Sequence, residues 1–438
     1  MKILKFGGSS IKEPDRLKKI VKILTNTGGK IITVLSAITN TTDILCEINN
    51  LYINKQDPKN LIEKLKLIHI KYINSLFISK YYLTKAMKLL NECLDIIYSF
   101  NNKNIFCTEY EKIILAQGEI ISTHLLHLYL QEIKIKSCLL PALSFMLIDK
   151  NSEPDLPHIF RSVNKLILDN KDYSLFITQG YICKNPDNQI DNLDRGSSDY
   201  TATLIGSAIS SEEIQIWTDI DGLHNNDPRF IKNTRYIPEI LFDEAAELAY
   251  FGAKILHPNS ILPAKKSNIP IRLLSTLEPN KSGTLISSKR NSSITKAIAA
   301  KDDIIIIKIK SHKMQMAYEF LINVLIIFKK YKIPTDMINT SKITASIALE
   351  SKQYVEDLKN DLQIYGEVNI KYQQSIICIL GDFISGNNTL IIAKIIQAVQ
   401  DIPLEMICYG SSNNTVHLVV NSNNKVLALE SLHNTSFI

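Results

Sequence analysis

Between Leu193 and Arg229 the chain gathers an arginine, several hydroxyls and several carboxylates in an order that suits the capture of anions. Arg195, Gly196, Ser197, Ser198 and Asp199 stand directly before an apolar run, Tyr200 to Ala208, that reads as a helix. A guanidinium grips a carboxylate or phosphate through paired hydrogen bonds, and the first turn of a helix leaves N–H groups unpaired, so this junction suits a small anion. Farther on, Ile214 to Thr218 reads as a strand that ends in Asp219, and Asp227-Pro228-Arg229 closes the loop that follows. A strand end followed by Asp, Gly and Pro suits a nucleotide-binding loop.

A second cluster opens the chain. Lys2 to Phe6 reads as a strand running into Gly7-Gly8-Ser9-Ser10, and Asp15 to Leu24 carries Leu17, Ile20, Val21 and Leu24 at helical spacing. Strand, glycine-rich turn and helix make a phosphate cradle, to which Lys5 adds a point charge. An ordinary tight turn has the same composition, and the Walker pattern is excluded because no Gly-Lys-Ser/Thr follows.

The elements that must hold these residues alternate in type. Lys30 to Ser36 reads as a strand, with Thr39 to Asp43 as a hydroxyl-rich loop at its carboxyl end, where an open α/β sheet places ligands; Thr41-Thr42-Asp43 taken alone is more often a helix cap. Residues 44–102 read as a helical insertion with a solvated lysine face and no assigned site. Ile113 to Leu126 reads as a helix carrying Glu119, a residue type usually exposed on such a helix. Strands at Ser174 to Thr178, Ile214 to Thr218 and Pro270 to Ser275, with helices between, imply a mainly parallel sheet covered on both faces. Asp243 to Phe251 reads as a helix that Gly252 to His257 carries on to Pro258, with Lys254 on its surface and His257 as a cap.

Beyond Lys289 the chain repeats itself. Ile333-Pro-Thr-Asp-Met-Ile338 recurs as Ile402-Pro-Leu-Glu-Met-Ile407. Each copy follows a strand (Asp303 to Ile309, Ser375 to Leu380) and a helix (Met314 to Lys330, Thr389 to Val399), and precedes an alternating strand (Ile343 to Glu350, Thr415 to Asn421). This order is ferredoxin-like. The first copy finishes with Ile364 to Tyr372; the second lacks a last strand, which Thr295 to Ala299 would supply, so that the modules interleave.

Bulk composition narrows the function classes. At 438 residues, 45% hydrophobic and 21% charged, the chain has material for about two to three domains with real cores. The net charge of +6 is carried by scattered lysines, which speaks against nucleic-acid binding. Seven cysteines, odd in number and without CxxC spacing, read as reduced thiols in a cytoplasmic protein with no metal ligands. No segment approaches the run of about 18 apolar residues that a membrane helix needs.

Together these blocks resemble the aspartate kinases of the amino acid kinase family, followed by tandem ACT domains. The likeness runs through Lys5-Phe-Gly-Gly-Ser9, Leu35-Ser-Ala37 with Thr41-Thr-Asp43, Gln117-Gly-Glu119, Thr178-Gln-Gly180, Arg195 to Ala202, Trp217-Thr-Asp219 with Asp227-Pro-Arg229, and Phe251 to Pro258. Each block is weak alone, and seven in order are strong. The resemblance implies an α/β fold in which a mainly parallel sheet sandwiched by helices (1–290) precedes two interleaved ferredoxin-like modules (291–372 and 373–438). It implies ATP-dependent phosphorylation of the aspartate side chain, with Mg²⁺ arriving on ATP, and a homodimer or homotetramer built through the ACT modules.

By resemblance, Lys5, Lys254 and Asp199 are catalytic. Ser36, Thr42, Glu119, Arg195, Gly196, Ser197 and Ser198 bind aspartate, Arg195 at its α-carboxylate and Glu119 at its ammonium. Lys5, Gly7, Gly8, Ser9, Thr218, Asp219, His224, Asp227, Arg229 and Lys254 bind ATP, and Met316, Asp336, Thr340 and Ser341 receive an amino-acid effector. Three departures stand out: Asp194-Arg-Gly-Ser-Ser198 replaces Gly-Arg-Gly-Gly-Ser, His224 replaces a stacking tyrosine, and Thr340-Ser-Lys342 replaces Thr-Ser-Glu. An ammonium at Lys342 repels a cationic effector, which implies weak or absent lysine feedback. The competing readings are a kinase for glutamate or N-acetylglutamate, and a catalytically silent amino-acid sensor.

Overall fold

The computed structural model describes residues 1–101, 106–193, 197–253, 256–289, 297–312, 317–350, 353–381, 383, 388–410 and 414–436. Two compact units emerge. The first comprises Met1–Leu223, Pro238–Phe242 and Leu256–Arg290, and the second His224–Ile237, Asp243–Ile255 and Asn291–Ile438.

The first unit begins with β1 (Lys2–Phe6), a 3₁₀ turn at Gly8–Ile11, α1 (Pro14–Asn26), β2 (Ile31–Leu35) and α2 (Thr41–Ile53). Pro14 opens α1 where its missing N–H costs nothing, Asp15 faces the positive end of the helix dipole, and Leu17, Ile20, Val21 and Leu24 are buried. Each fully buried aliphatic side chain of this kind contributes about 1.5–3 kcal/mol. Three further helices follow, α3 (Lys59–Leu76), α4 (Lys80–Tyr98) and α5 (Thr108–Glu132). Residues 44–102 are thus spanned mainly by α2, α3 and α4, and α5 starts earlier than the apolar spacing suggests because its first turn is built from Glu109 and Glu111. Although α5 is long and apolar enough to cross a membrane, its most apolar window is 67% buried inside the protein.

Then come β3 (Cys138–Leu139), α6 (Leu156–Asp169), β4 (Leu175–Gln179), a small hairpin of β5 (Ile182–Lys184) and β6 (Ile190–Asn192), α7 (Ser197–Ala208) and β7 (Glu213–Thr218). The remaining elements are β8 (Glu239–Leu241), α8 (Phe242–Tyr250), α9 (Pro258–Lys266), β9 (Ile271–Ser275) and β10 (Thr284–Ser287). The sheet order is β3-β4-β2-β1-β7-β9-β10-β8, and only the β9–β10 pairing is antiparallel. From β1 the chain steps to β2 on one side, and it later returns to place β7 on the other. This reversal is the switch point where an open α/β sheet leaves a crevice.

The helix at 243–251 does not run on to Pro258. It ends at Tyr250, where Gly252 takes φ +113 and lies so close to the Ala300 carbonyl that a Cβ would fall 1.9 Å from its oxygen. Pro258 instead opens α9, and His257 caps it by accepting from the Asn259 N–H at 3.3 Å.

The second unit continues with β11 (Ala297–Ser311), α10 (Ala317–Lys330), β12 (Met337–Thr340), β13 (Thr344–Leu349), α11 (Val355–Leu362), β14 (Gly366–Leu380), α12 (Asn388–Ala398), β15 (Leu404–Cys408), β16 (Thr415–Asn421) and α13 (Lys425–Ser436). Its six strands lie in one antiparallel sheet, β12-β13-β11-β14-β16-β15. The strands read separately at 295–299 and 303–309 are one strand, β11, and those at 364–372 and 375–380 are one strand, β14. Asp303 (φ +61) and Gln373 (φ +56) mark the midpoints, where the register shifts. Ala297 to Lys301 pairs with the second half of β14 and completes the second module, so the two ferredoxin-like modules interleave.

Two segments that precede residue 290 belong to this second unit instead of the 1–290 domain. Hydrogen bonds from Ile298 N–H to Asn225 O (2.8 Å) and from Asn226 Nδ2 to Leu429 O (3.4 Å) hold the first. Ile231 packs into the cluster of Ile377, Val416 and Leu429, and Phe251 into that of Ile304, Ile376 and Val419.

Candidate active site

At the carboxyl ends of β4, β2, β1 and β7 the first unit collects most of its unusual polar groups. Lys5, near the end of β1, and Asp199, in the first turn of α7, form an ion pair at 2.6 Å with both side chains 12% exposed. The contact lacks the aligned geometry of a hydrogen bond. Past Lys5 the backbone enters the 3₁₀ turn, where the Gly7 N–H reaches the Trp217 carbonyl of β7 at 3.5 Å, across the switch point. The N–H groups of Gly8 and Ser9 have no partner among the described residues. Gly8 is pressed against the loop after β2: a Cβ there would stand 2.7 Å from the Ala37 oxygen.

Ala37 links this turn to a buried carboxylate. Its N–H donates to Glu119 Oε1 at 3.1 Å, while Glu119 Oε2 is buried with no partner. Burial pushes the Glu119 carboxyl up to about 8, with the Ala37 bond pulling the other way. An anionic oxygen held in this way is a receptor for a cation. Around it, Ser122 Oγ donates to the Ser36 carbonyl at 2.9 Å, and Thr42 lies exposed in the first turn of α2. Ser198 packs against Gly180 at the end of β4, and the Tyr181 N–H donates to Thr201 Oγ1 at 3.1 Å, which fixes the start of α7.

At the end of β7, Thr218 Oγ1 donates to Asp219 at 3.1 Å, and the Thr218 carbonyl accepts the Thr276 N–H at 2.8 Å. In the second unit, His224 Nδ1 lies 2.9 Å from Thr234 Oγ1, with its ring edge-on to Tyr236. Asp227 and Arg229 are joined there by side-chain bonds of 2.5–3.1 Å. Burial raises the Asp227 carboxyl, but the Arg229 bonds outweigh it and hold the carboxyl below its usual range. Asp336 receives Lys301 Nζ at 2.7 Å and the Tyr250 hydroxyl at 2.9 Å, whereas Thr340 and Ser341 are exposed, Ser341 bonding Thr344 at 2.6 Å. Arg195, Gly196, Lys254 and Met316 lie outside the described residues, as does the side chain of Ser197.

Three more residues brace the site, of which only Ala37, in the Leu35-Ser-Ala37 block, stood out in the sequence. Ala37 touches both the glycine turn and Glu119. Tyr72, on α3, donates its hydroxyl to the carbonyl of Ile11, the last residue of the turn, at 3.0 Å. His69 places Nε2 3.5 Å from Thr41 Oγ1, at the start of α2. The helical insertion thus buttresses both loops, and its spacing of Leu65, His69 and Tyr72 is indistinguishable from ordinary core. A cavity of about 620 Å³ is lined by Lys2, Lys19 and Lys22 together with Trp217, Arg272 and Thr276, and none of the candidate site residues lines it.

The profile of the amino acid kinase family matches residues 1–275. Aspartokinase 3, chloroplastic, of Arabidopsis thaliana is 29% identical over 462 residues, spanning 99% of this chain and 81% of its own. The lysine-sensitive aspartokinase 3 of Escherichia coli is 26% identical over 99% of both chains. Among solved structures, E. coli aspartokinase III with lysine and aspartate in its T-state superposes with a TM-score of 0.82 at 25% identity, covering 100% of both chains. The same enzyme with aspartate and ADP in its R-state gives 0.86 at 24% identity, again over 100% of both.

Proposed function

We propose, from the premise that this chain belongs to the amino acid kinase family, that it transfers the γ-phosphoryl group of ATP to the side-chain carboxylate of L-aspartate, giving 4-phospho-L-aspartate and ADP. This is the entry step to lysine, threonine and methionine. Relatives that span nearly the whole chain are aspartokinases. The observation that carries the reading is Glu119: a buried carboxylate with one unpartnered oxygen, a single residue removed from a turn with free N–H groups.

The chemistry asks little of the protein beyond placement. The aspartate side chain, with an ordinary pKa near about 3.9, is already ionised at neutral pH, so no general base is required. Its oxygen attacks the γ-phosphorus, the bond to the bridging oxygen breaks, and the electron pair leaves on ADP. Catalysis then consists of holding two anions in line and neutralising the charge that spreads over the transferred group. Gly8 and Ser9 offer N–H donors to the phosphates, with Gly7 beside them, and Lys5 supplies a cation that Asp199 holds in place. Mg²⁺ bound to ATP supplies further neutralisation.

For aspartate, Glu119 Oε2 takes the ammonium, Arg195 the α-carboxylate, and Ser198 and Thr42 donate hydroxyls, with Ser36, Gly196 and Ser197 beside them. Thr218, Asp219, His224, Asp227 and Arg229 form the nucleotide side, and Lys254 follows charge onto the leaving phosphate. We assign assembly to the second unit, where α10 exposes Tyr318, Ile322, Leu325 and Ile326 by 43–59% along one face. Seven cysteines, none of them joined in a disulfide among the described residues, support a reducing, cytoplasmic location. Trapping the acyl phosphate with hydroxylamine tests the function: hydroxamate should form with aspartate and MgATP, and neither glutamate nor N-acetylglutamate should replace aspartate. Wild-type protein that makes no hydroxamate would overturn it.

A further inference from the structure

Away from the candidate active site, the second unit holds a group of metal-ligand side chains that phosphoryl transfer does not use. Cys378 on β14 and His417 on β16 are register partners on adjacent strands, so their side chains emerge on the same face of the sheet. Glu247 of α8 joins them, and one ligand atom from each of the three lies within 4.8 Å of the other two.

Burial makes the arrangement unusual. Cys378 is fully buried, and the His417 side chain is 6% exposed, with Nε2 lacking any hydrogen-bond partner and lying 3.9 Å from Glu247 Oε2. The surroundings are apolar, namely Phe251, Ile376, Met406 and Val419, and the Phe251 ring is centred 4.3 Å from that of His417. A buried imidazole nitrogen without a partner is costly unless something fills its lone pair. Glu247 is 37% exposed and leaves one flank of the group open to solvent. The cross-strand row also continues, since Cys408 on β15 is the register partner of His417 on its other side.

We propose that Glu247, Cys378 and His417 bind a divalent transition metal, with Zn²⁺ the best fit. Thiolate, imidazole and carboxylate are the donor set of a borderline-soft, tetrahedral ion, and three protein ligands leave a fourth position for water on the solvent side. On binding, Cys378 gives its thiol proton to solvent. The thiolate and the carboxylate then cancel the dication, so the buried centre carries no net charge. The ion ties α8 to β14 and β16, and it fixes Phe251 against His417 only three positions before Lys254 in the sequence. Zinc occupancy would thereby act on the segment that carries a proposed catalytic lysine.

The test uses the full chain, stripped of metal and titrated with Co²⁺ and then Zn²⁺ against a chromophoric chelator. The expected result is one equivalent bound, a thiolate-to-cobalt charge-transfer band that zinc abolishes, and a higher melting temperature. Cys378→Ser should remove the band. His417→Gln and Glu247→Gln should weaken binding by more than about 100-fold, since losing a direct ligand costs more than the 10- to 100-fold typical of an outer contact. Cys46→Ser, at an exposed thiol, should leave both unchanged. Absence of the cobalt–thiolate band in wild-type protein, or its loss in Cys46→Ser with retention in Cys378→Ser, would overturn the proposal whether or not the buried variants fold.

Discussion

Glu119 and Asp336 are both buried carboxylates with one unpartnered oxygen, and they sit in opposite electrostatic situations. Glu119 is met by a single backbone N–H, with no cation at hand. Asp336 already has its cation, Lys301 at 2.7 Å, and a tyrosine hydroxyl besides. The second unit largely neutralises its charges internally, with Lys308 and Lys371 both on Glu405, and Lys425 on Asp302. The first leaves an acid and two N–H groups unsatisfied at the carboxyl edge of its sheet. Unpaired polarity there is a demand that a ligand meets, and paired polarity elsewhere is structure.

The largest effect should come from Lys5→Ala, which removes the proposed phosphate-side cation and leaves Asp199 without its partner. We predict a loss of about 10³-fold in kcat, the scale of a lost transition-state donor, read by hydroxamate formation. Next is Glu119→Gln, which should raise KM for aspartate about 100-fold, the cost of a lost buried charge partner, with KM for ATP unaffected. An unchanged aspartate KM would end the ammonium assignment. Asp336→Asn is the counterpart: it should lower the melting temperature and leave aspartate KM alone.

A smaller effect is pH-dependent. In the folded, ligand-free protein the Glu119 carboxyl is raised from 4.5 to about 8 by burial. Its contribution to stability is therefore fully present below pH 4.5 and is lost as pH rises through about 8, because the unfolded chain ionises first. Thermal melts of wild type should show this slope, and Glu119→Gln should flatten it. For the same reason aspartate should bind more tightly as pH climbs toward 8, since the carboxyl must release its proton to receive an ammonium. The smallest effect concerns feedback. We predict little inhibition of wild type by micromolar lysine and a several-fold gain in sensitivity for Lys342→Glu, which exchanges repulsion for attraction at an exposed site. Sharp inhibition of wild type would remove Lys342 from consideration.

Much of this was legible in the sequence because ligand chemistry leaves composition behind. Lys5 with its glycines and Ser198-Asp199 at a helix start are suggested by residue types and order, whereas Glu119 stands out only through the family resemblance, since a lone Glu on an amphipathic helix is usually exposed. Asp199, catalytic by resemblance, is paired with Lys5 in the folded chain. His69 and Tyr72 leave no pattern of their own, because their importance lies in what the imidazole and the hydroxyl touch. The fold was harder at two points. Asp302-Asp303 and Gln373-Gln374 look like loops between separate strands, but tertiary pairing carries β11 and β14 straight through them with a bulge. Tyr250-Phe251-Gly252 looked helical because periodicity is blind to the approach of Ala300.

Those two shared strands leave no seam at which the repeat can be divided. The first half of β11 finds its partner in the second half of β14, and the second half of β11 in the first half of β14. A chain stopped after the first repeat would strand Ala297 to Lys301 as an unpaired edge, open to pairing with another molecule. The two repeats should therefore melt together as one cooperative block, with neither recoverable as an independent fragment.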